Sequence, residues 1–231
     1  MTELITYIFE AITMIISFFA TLMLINRKKN SQVPLGNTFL SLANSGVGIY
    51  ALATIIYSII GQEWAVIAFL KLGMVAIIMS VLLLYFTMQV LIYSSKWIEI
   101  HKFRFWVPLI IALSIAMVLI FTDFIEVIDA STAETHFQPI PFVLFASFVA
   151  FMLIYSAISL YYFGIRKAAG DSRKRMQIFF IGLILVISAL IVDVIGNIIE
   201  NEVLFDTLLF GILSCGVIFV AGSFFGKNAS E

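Results

Sequence analysis

Glu10, Lys71 and Asp193 each lie inside a long apolar stretch of this chain, where an ionised side chain is costly unless it is paired or faces water. Counted from the stretch ends at Leu4, Ala65 and Ile199, all three are six residues in. At a helical rise of about 1.5 Å per residue they share a depth of ~9 Å below one membrane surface. Helices that converge at that level let Lys71 pair with Glu10 or Asp193. One carboxylate is then left over, to be protonated, to hold a cation, or to contact a ligand amine or hydroxyl. Asn197, one turn after Asp193 on the same face, adds a donor and an acceptor. Tyr57, Ser58, Gln62 and Thr207 fall at similar levels on other stretches. A structural ion-pair network, an outward-facing ligand pocket and a proton or ion path are the three roles open to such a cluster. The expected ligand-binding set is Glu10, Lys71, Asp193 and Asn197, with no metal ion and no cofactor.

Other chemistries need residues that these stretches lack. Cys215 is the single cysteine, which rules out an intrachain disulfide and a CxxC metal site. His101 and His136 fall in connecting segments on opposite sides, so no Ser-His dyad, histidine cluster or aspartate pair of an intramembrane hydrolase can be assembled. A retinal Schiff base needs a lysine in the last apolar stretch, and residues 207–225 have none. The acid-Arg-Tyr and Asn-Pro-x-x-Tyr motifs of G-protein-coupled receptors are replaced by Gln89-Val90-Leu91-Ile92-Tyr93 and Gly211-Ile212-Leu213-Ser214-Cys215. The chain is therefore expected not to be an enzyme.

The elements that must position the cluster follow from composition. At 62% hydrophobic and 12% charged, with a mean hydropathy of +1.12, the chain is far from the roughly one-quarter charged content of soluble domains. Seven apolar runs can be marked at 4–26, 38–60, 65–93, 105–122, 141–164, 176–199 and 207–225. Each is long enough to cross a bilayer as a helix. The longest remainder, 123–140, has 18 residues, leaving no space for a soluble catalytic domain. Met1-Thr2-Glu3 is acidic rather than basic, so the first run reads as a retained helix and not a signal peptide.

Charge gives the orientation. Twelve of the thirteen Lys and Arg residues lie on one side of the seven runs, and nine acids, with no Lys or Arg among them, lie on the other. The positive-inside bias then predicts an all-α seven-helix bundle in the plasma membrane, N-terminus outside and C-terminus cytoplasmic. Val33-Pro34-Leu35-Gly36-Asn37 and Ala168-Ala169-Gly170-Asp171-Ser172 read as short inner turns, with Asp171 or Ser172 capping the sixth helix. Ser94 to Trp106 interleaves aromatics with Lys96, Lys102 and Arg104, as expected at headgroup level. Ser41, Asn44, Ser45, Gly46 and Gly48 in the second run predict close helix packing, with Asn44 hydrogen-bonding to a neighbour. The Asn228-Ala229-Ser230 sequon falls on the cytoplasmic side and is read as chance.

Two resemblances bear on function. Ile59-Ile60-Gly61-Gln62-Glu63 and Ile198-Ile199-Glu200-Asn201-Glu202 end the second helix of the first and last triplets. Two triple-helix units joined by a linker resemble the SWEET and PQ-loop transporters, although the Pro-Gln dipeptide is absent from the first helix and reversed at Gln138-Pro139. The chain also resembles the seven-helix N-terminal sensor region of bacterial and archaeal histidine kinases. That likeness rests on Asn37-Thr38-Phe39-Leu40, Gly48-Ile49-Tyr50, Lys71-Leu72, Tyr85-Phe86 and Arg173-Lys174-Arg175-Met176-Gln177, and the kinase catalytic region is missing. It implies a stand-alone, non-enzymatic sensor with an outward-facing polar pocket; the alternative is a small-solute transporter of the triple-helix-repeat type. Expected partners are membrane lipid, a small-molecule ligand, and a cytoplasmic effector or kinase at the inner loops, with no nucleic acid.

Overall fold

Inside hydrocarbon a backbone has no water to bond, so apolar runs of this length satisfy their N–H and C=O groups internally as helices. The computed structural model describes residues 2–27, 33–94, 96–129, 134–199 and 202–224. Its long helices are α1 (Thr2–Arg27), α2 (Pro34–Ile60), α3 (Glu63–Tyr93), α5 (Lys102–Phe121), α6 (Pro139–Ser159), α7 (Gly170–Ile199) and α8 (Glu202–Gly222), with a one-turn α4 (Trp97–Ile100) before α5. Seven helices are long and apolar enough to cross a membrane. They match the seven apolar runs, most of them extended by a few polar residues at their ends.

The ends have local causes. Pro34 and Pro139 stand in the first turns of α2 and α6, where a missing N–H costs nothing. Gly61 closes α2 at φ 58, a left-handed conformation that glycine adopts without penalty, and its N–H bonds Tyr57 O at 3.0 Å. Only Gln62 then separates it from α3. α7 starts at Gly170, so Asp171 sits in its first turn, 3.9 Å from Lys174, instead of capping it. Pro108 lies inside α5 and removes the donor that would serve the Arg104 carbonyl. The Tyr85 hydroxyl of α3 donates to that oxygen at 3.3 Å. α6 finishes as a π-helical segment, Leu160–Ile165, which the sequence did not announce.

The helices run up and down. α1 and α8 are parallel neighbours, tied by Thr6–Thr207 and Thr13–Ser214 hydroxyl bonds of 2.9 and 2.7 Å, seven residues apart on each helix. α7 and α8 are antiparallel and approach closely: a Cβ on Gly182 would stand 2.7 Å from Val220 N and 3.0 Å from Gly216 O. At Gly46 the same closeness brings α2 against Ala76 O and Ser80 of α3, as the small residues of that run predict. α3 packs on α2, α5 and α6, and almost every residue from Ser80 to Val90 is buried.

One addition to the all-α expectation is a β-hairpin in the 123–140 segment. β1 (Ile125–Asp129) pairs antiparallel with β2 (Glu134–Phe137), placing Ile125 opposite Phe137 and Val127 opposite Thr135. Two strands alone are marginal; this pair is anchored by Phe124, fully buried, whose ring stacks 6.2 Å from Phe137. The bundle thus has a hairpin end, where α1 and α8 begin, and a basic end.

Candidate functional site

All the long helices except α5 line a cavity of about 470 Å³, with Thr135 and Phe137 of the hairpin beside it. α5 stands outside, packed on α3 and α6. Each helix presents a stripe at helical spacing: Thr6 and Glu10 on α1, Ala189, Asp193 and Gly196 on α7, Asp206, Leu209, Leu213, Val217 and Val220 on α8. Tyr50 of α2 crosses the interior. Its ring stacks on Phe210 at 5.8 Å, and a Cβ on Gly73 would sit 3.0 Å from it. Glycine at 73 therefore makes the space that the tyrosine fills.

Glu10 is 5% exposed, and its Oε2 has no hydrogen-bond partner among the described residues. Thr54 lies beside it, and Asp206 is its like-charged neighbour. Tyr50 is within electrostatic reach of Glu10, Asp193 and Asp206 together. No Lys, Arg or His is among the described residues that line the cavity. The three acids surround the space without converging: no three His, Cys, Asp or Glu among the described residues could hold one metal ion.

The structure brings Glu10 and Asp193 to one cavity and takes Lys71 away from it. Lys71 Nζ donates to Thr122 O at 2.8 Å and to Ile120 O at 3.4 Å, with Asp123 Oδ1 at 3.8 Å. The expected Glu10/Lys71/Asp193 cluster is therefore corrected. The reason is azimuth. A count of residues gives position along a helix but not direction around it, since successive helical residues are turned by about 100°. Leu70, Gly73, Met74, Ile77 and Val81 face the cavity, which turns Lys71 towards the end of α5. There its ammonium binds the last carbonyls of that helix, which carry negative partial charge.

Asn197 belongs to α7, but its side chain lies outside the described residues. Tyr57 and Ser58 line the cavity. Gln62 instead accepts from Trp64 Nε1 at 2.5 Å on the exposed turn, and Thr207 bonds Thr6. Asn44 faces the cavity with its Nδ2 unpartnered, contrary to the expected interhelical bond.

Asp206 was missed because the seventh run was started at Thr207. Its signal was the spacing: Asp206, Leu209, Leu213, Val217 and Val220 repeat every three or four residues and extend the helix back through the acid. The hairpin's contribution was missed too, although Ile125 and Val127 alternate with Glu126, and Thr135 and Phe137 with His136. No protein-family model matches the chain, and no curated protein matches it significantly.

Proposed function

We propose that the chain is a non-enzymatic membrane receptor or sensor module. Its cavity takes a small organic cation from outside the cell, and its basic end signals to a separate cytoplasmic effector. The observation that carries this reading is the asymmetry of the interior. The ionisable groups lining the cavity are acids and tyrosines, while towards the basic end Leu24, Leu40, Met88, Leu160 and Phe179 are fully buried and fill the bundle. A binding site with its ionisable groups at one end and an apolar wall at the other suits a device that relays occupancy.

The positive-inside bias supports the orientation, with twelve of thirteen cations on the basic side. On this reading the hairpin end is extracellular and the membrane is the plasma membrane. The basic stretch Arg166–Arg175 is the surface offered to the effector, and the resemblance to kinase sensor regions supports a partner of that kind.

The test is reconstitution in liposomes with the hairpin end outward and radiolabelled tetramethylammonium as the probe. Saturable binding without accumulation in the lumen is the expected result. Time-dependent accumulation would turn the reading to a transporter, and the absence of saturable binding would remove the cation site.

A further inference from the structure

The cavity changes character along its length. At the hairpin end its wall carries Glu10, Thr54, Tyr57, Asp193 and Asp206. Towards the basic end the wall is mainly Val81, Leu84, Val149, Leu153, Val217 and Val220. On α8 alone the lining runs from Asp206 to Val220, a distance of ~21 Å at helical rise. The space is therefore elongated, acidic at one end and apolar at the other.

Among the described residues, two buried polar atoms in this wall lack partners. Glu10 Oε2 is one; the other is the Asn44 Nδ2 donor, on a residue 2% exposed within the apolar half. Both are lining groups. The bare Glu10 oxygen marks a place where a cationic head supplies the missing contact, whereas the Asn44 donor asks for an acceptor, which an alkyl body does not carry.

We infer that the ligand is an amphipathic cation, with an ammonium head among Glu10, Asp193 and Asp206 and an apolar body extending along the Val81, Leu84, Val149, Leu153, Val217 and Val220 wall. This assignment rests on the proposed cation-binding reading and names its ligand class. A zwitterionic phospholipid fits less well, because no cation among the described lining residues would meet its phosphate. An inorganic cation, or an organic head group without a tail, would leave the apolar half unused.

The experiment measures equilibrium binding to the full chain in nanodiscs, with empty discs subtracted. Four probes at sub-micellar concentration separate the contributions: decyltrimethylammonium, tetramethylammonium as head alone, decanol as tail alone, and decanoate with the charge reversed. Decyltrimethylammonium is expected to bind at least ~100-fold more tightly than tetramethylammonium, since each buried methylene contributes several-fold, and more tightly than decanol or decanoate. Glu10→Gln should weaken both cations by ~10-fold or more and leave decanol unchanged. Val217→Phe, or Val149→Phe on the opposite wall, should weaken the decyl cation and spare tetramethylammonium.

Equal affinity for the two cations, unaffected by either Phe variant, would overturn the amphiphile and leave the cation site standing. Decanol or decanoate binding as well as the decyl cation would overturn the cation reading itself. So would a failure of all four probes to exceed empty discs.

Discussion

The two ends of this bundle are built from the same apolar residue types and do opposite things with them. At the basic end α1, α2, α3, α6 and α7 each supply a large, fully buried side chain, Leu24, Leu40, Met88, Leu160 and Phe179. Towards the hairpin end the same helices line a cavity with Tyr50 in its wall and acids at its edge. Hydropathy does not distinguish the ends, because lipid is as apolar as leucine and association rests on packing and polar bonds. What distinguishes them is which polar groups are satisfied. Thr13 donates within α1 and lies within bonding distance of α8, whereas Glu10, less than one turn away, is left with an unpartnered oxygen. Packing for stability and space for a ligand are adjacent on one helix.

The largest expected effect comes from removing the same ring at both ends. Phe179→Ala empties a fully buried site and should cost ~3–5 kcal/mol. Phe145→Ala enlarges a wall that already borders open space and should cost less than half as much. Unfolding midpoints in denaturant, measured in matched micelles, give the comparison; equal costs would mean that the two ends are packed alike.

Replacing Glu10 by Met should raise stability by about 1–3 kcal/mol, because a buried unpartnered carboxylate oxygen is removed, while cation binding is lost. A variant that is both more stable and inactive marks a group kept for function. A destabilised Glu10→Met protein would make the carboxylate structural.

Lys71→Met removes a charged donor to two carbonyls at the end of α5 and should cost about 1–3 kcal/mol without changing cation affinity. Loss of affinity would return Lys71 to the site. The smallest effect belongs to Asp123→Asn, since Asp123 is fully exposed and 3.8 Å from Lys71, and water screens such a pair. Its thermal midpoint should match that of the parent, at low and at high salt.

The sequence revealed most about what hydrocarbon dictates. Seven runs with at most one charged residue each gave seven helices, and their boundaries missed mainly where polar residues continue a helix past the run, as at 202–206 and 170–175. It pointed to Glu10 and Asp193, which line one cavity, because an ionisable residue inside an apolar run stands out by itself. Azimuth was hidden at Lys71 because α3 is apolar on all sides, packed by α2, α5 and α6, so no amphipathic face pointed inward. The hairpin was hidden by its size: five and four residues carry a weak alternation next to runs of twenty or more. The π-helical end of α6 has no composition that separates Leu160–Ile165 from ordinary helix.

Cysteine accessibility tests the contrast between the ends most directly. In a Cys215→Ser background, Thr54→Cys places a thiol on the cavity wall beside Glu10, and Met88→Cys places one in the packed half. Sealed vesicles of known orientation are then exposed to membrane-impermeant methanethiosulfonates, one carrying trimethylammonium and one carrying sulfonate. The Thr54→Cys thiol is expected to react from the hairpin side, faster with the cationic reagent, while the Met88→Cys thiol stays unmodified from either side. A Thr54→Cys thiol that is inert, that reacts only from the basic side, or that prefers the sulfonate reagent would refute an outward-facing acidic cavity.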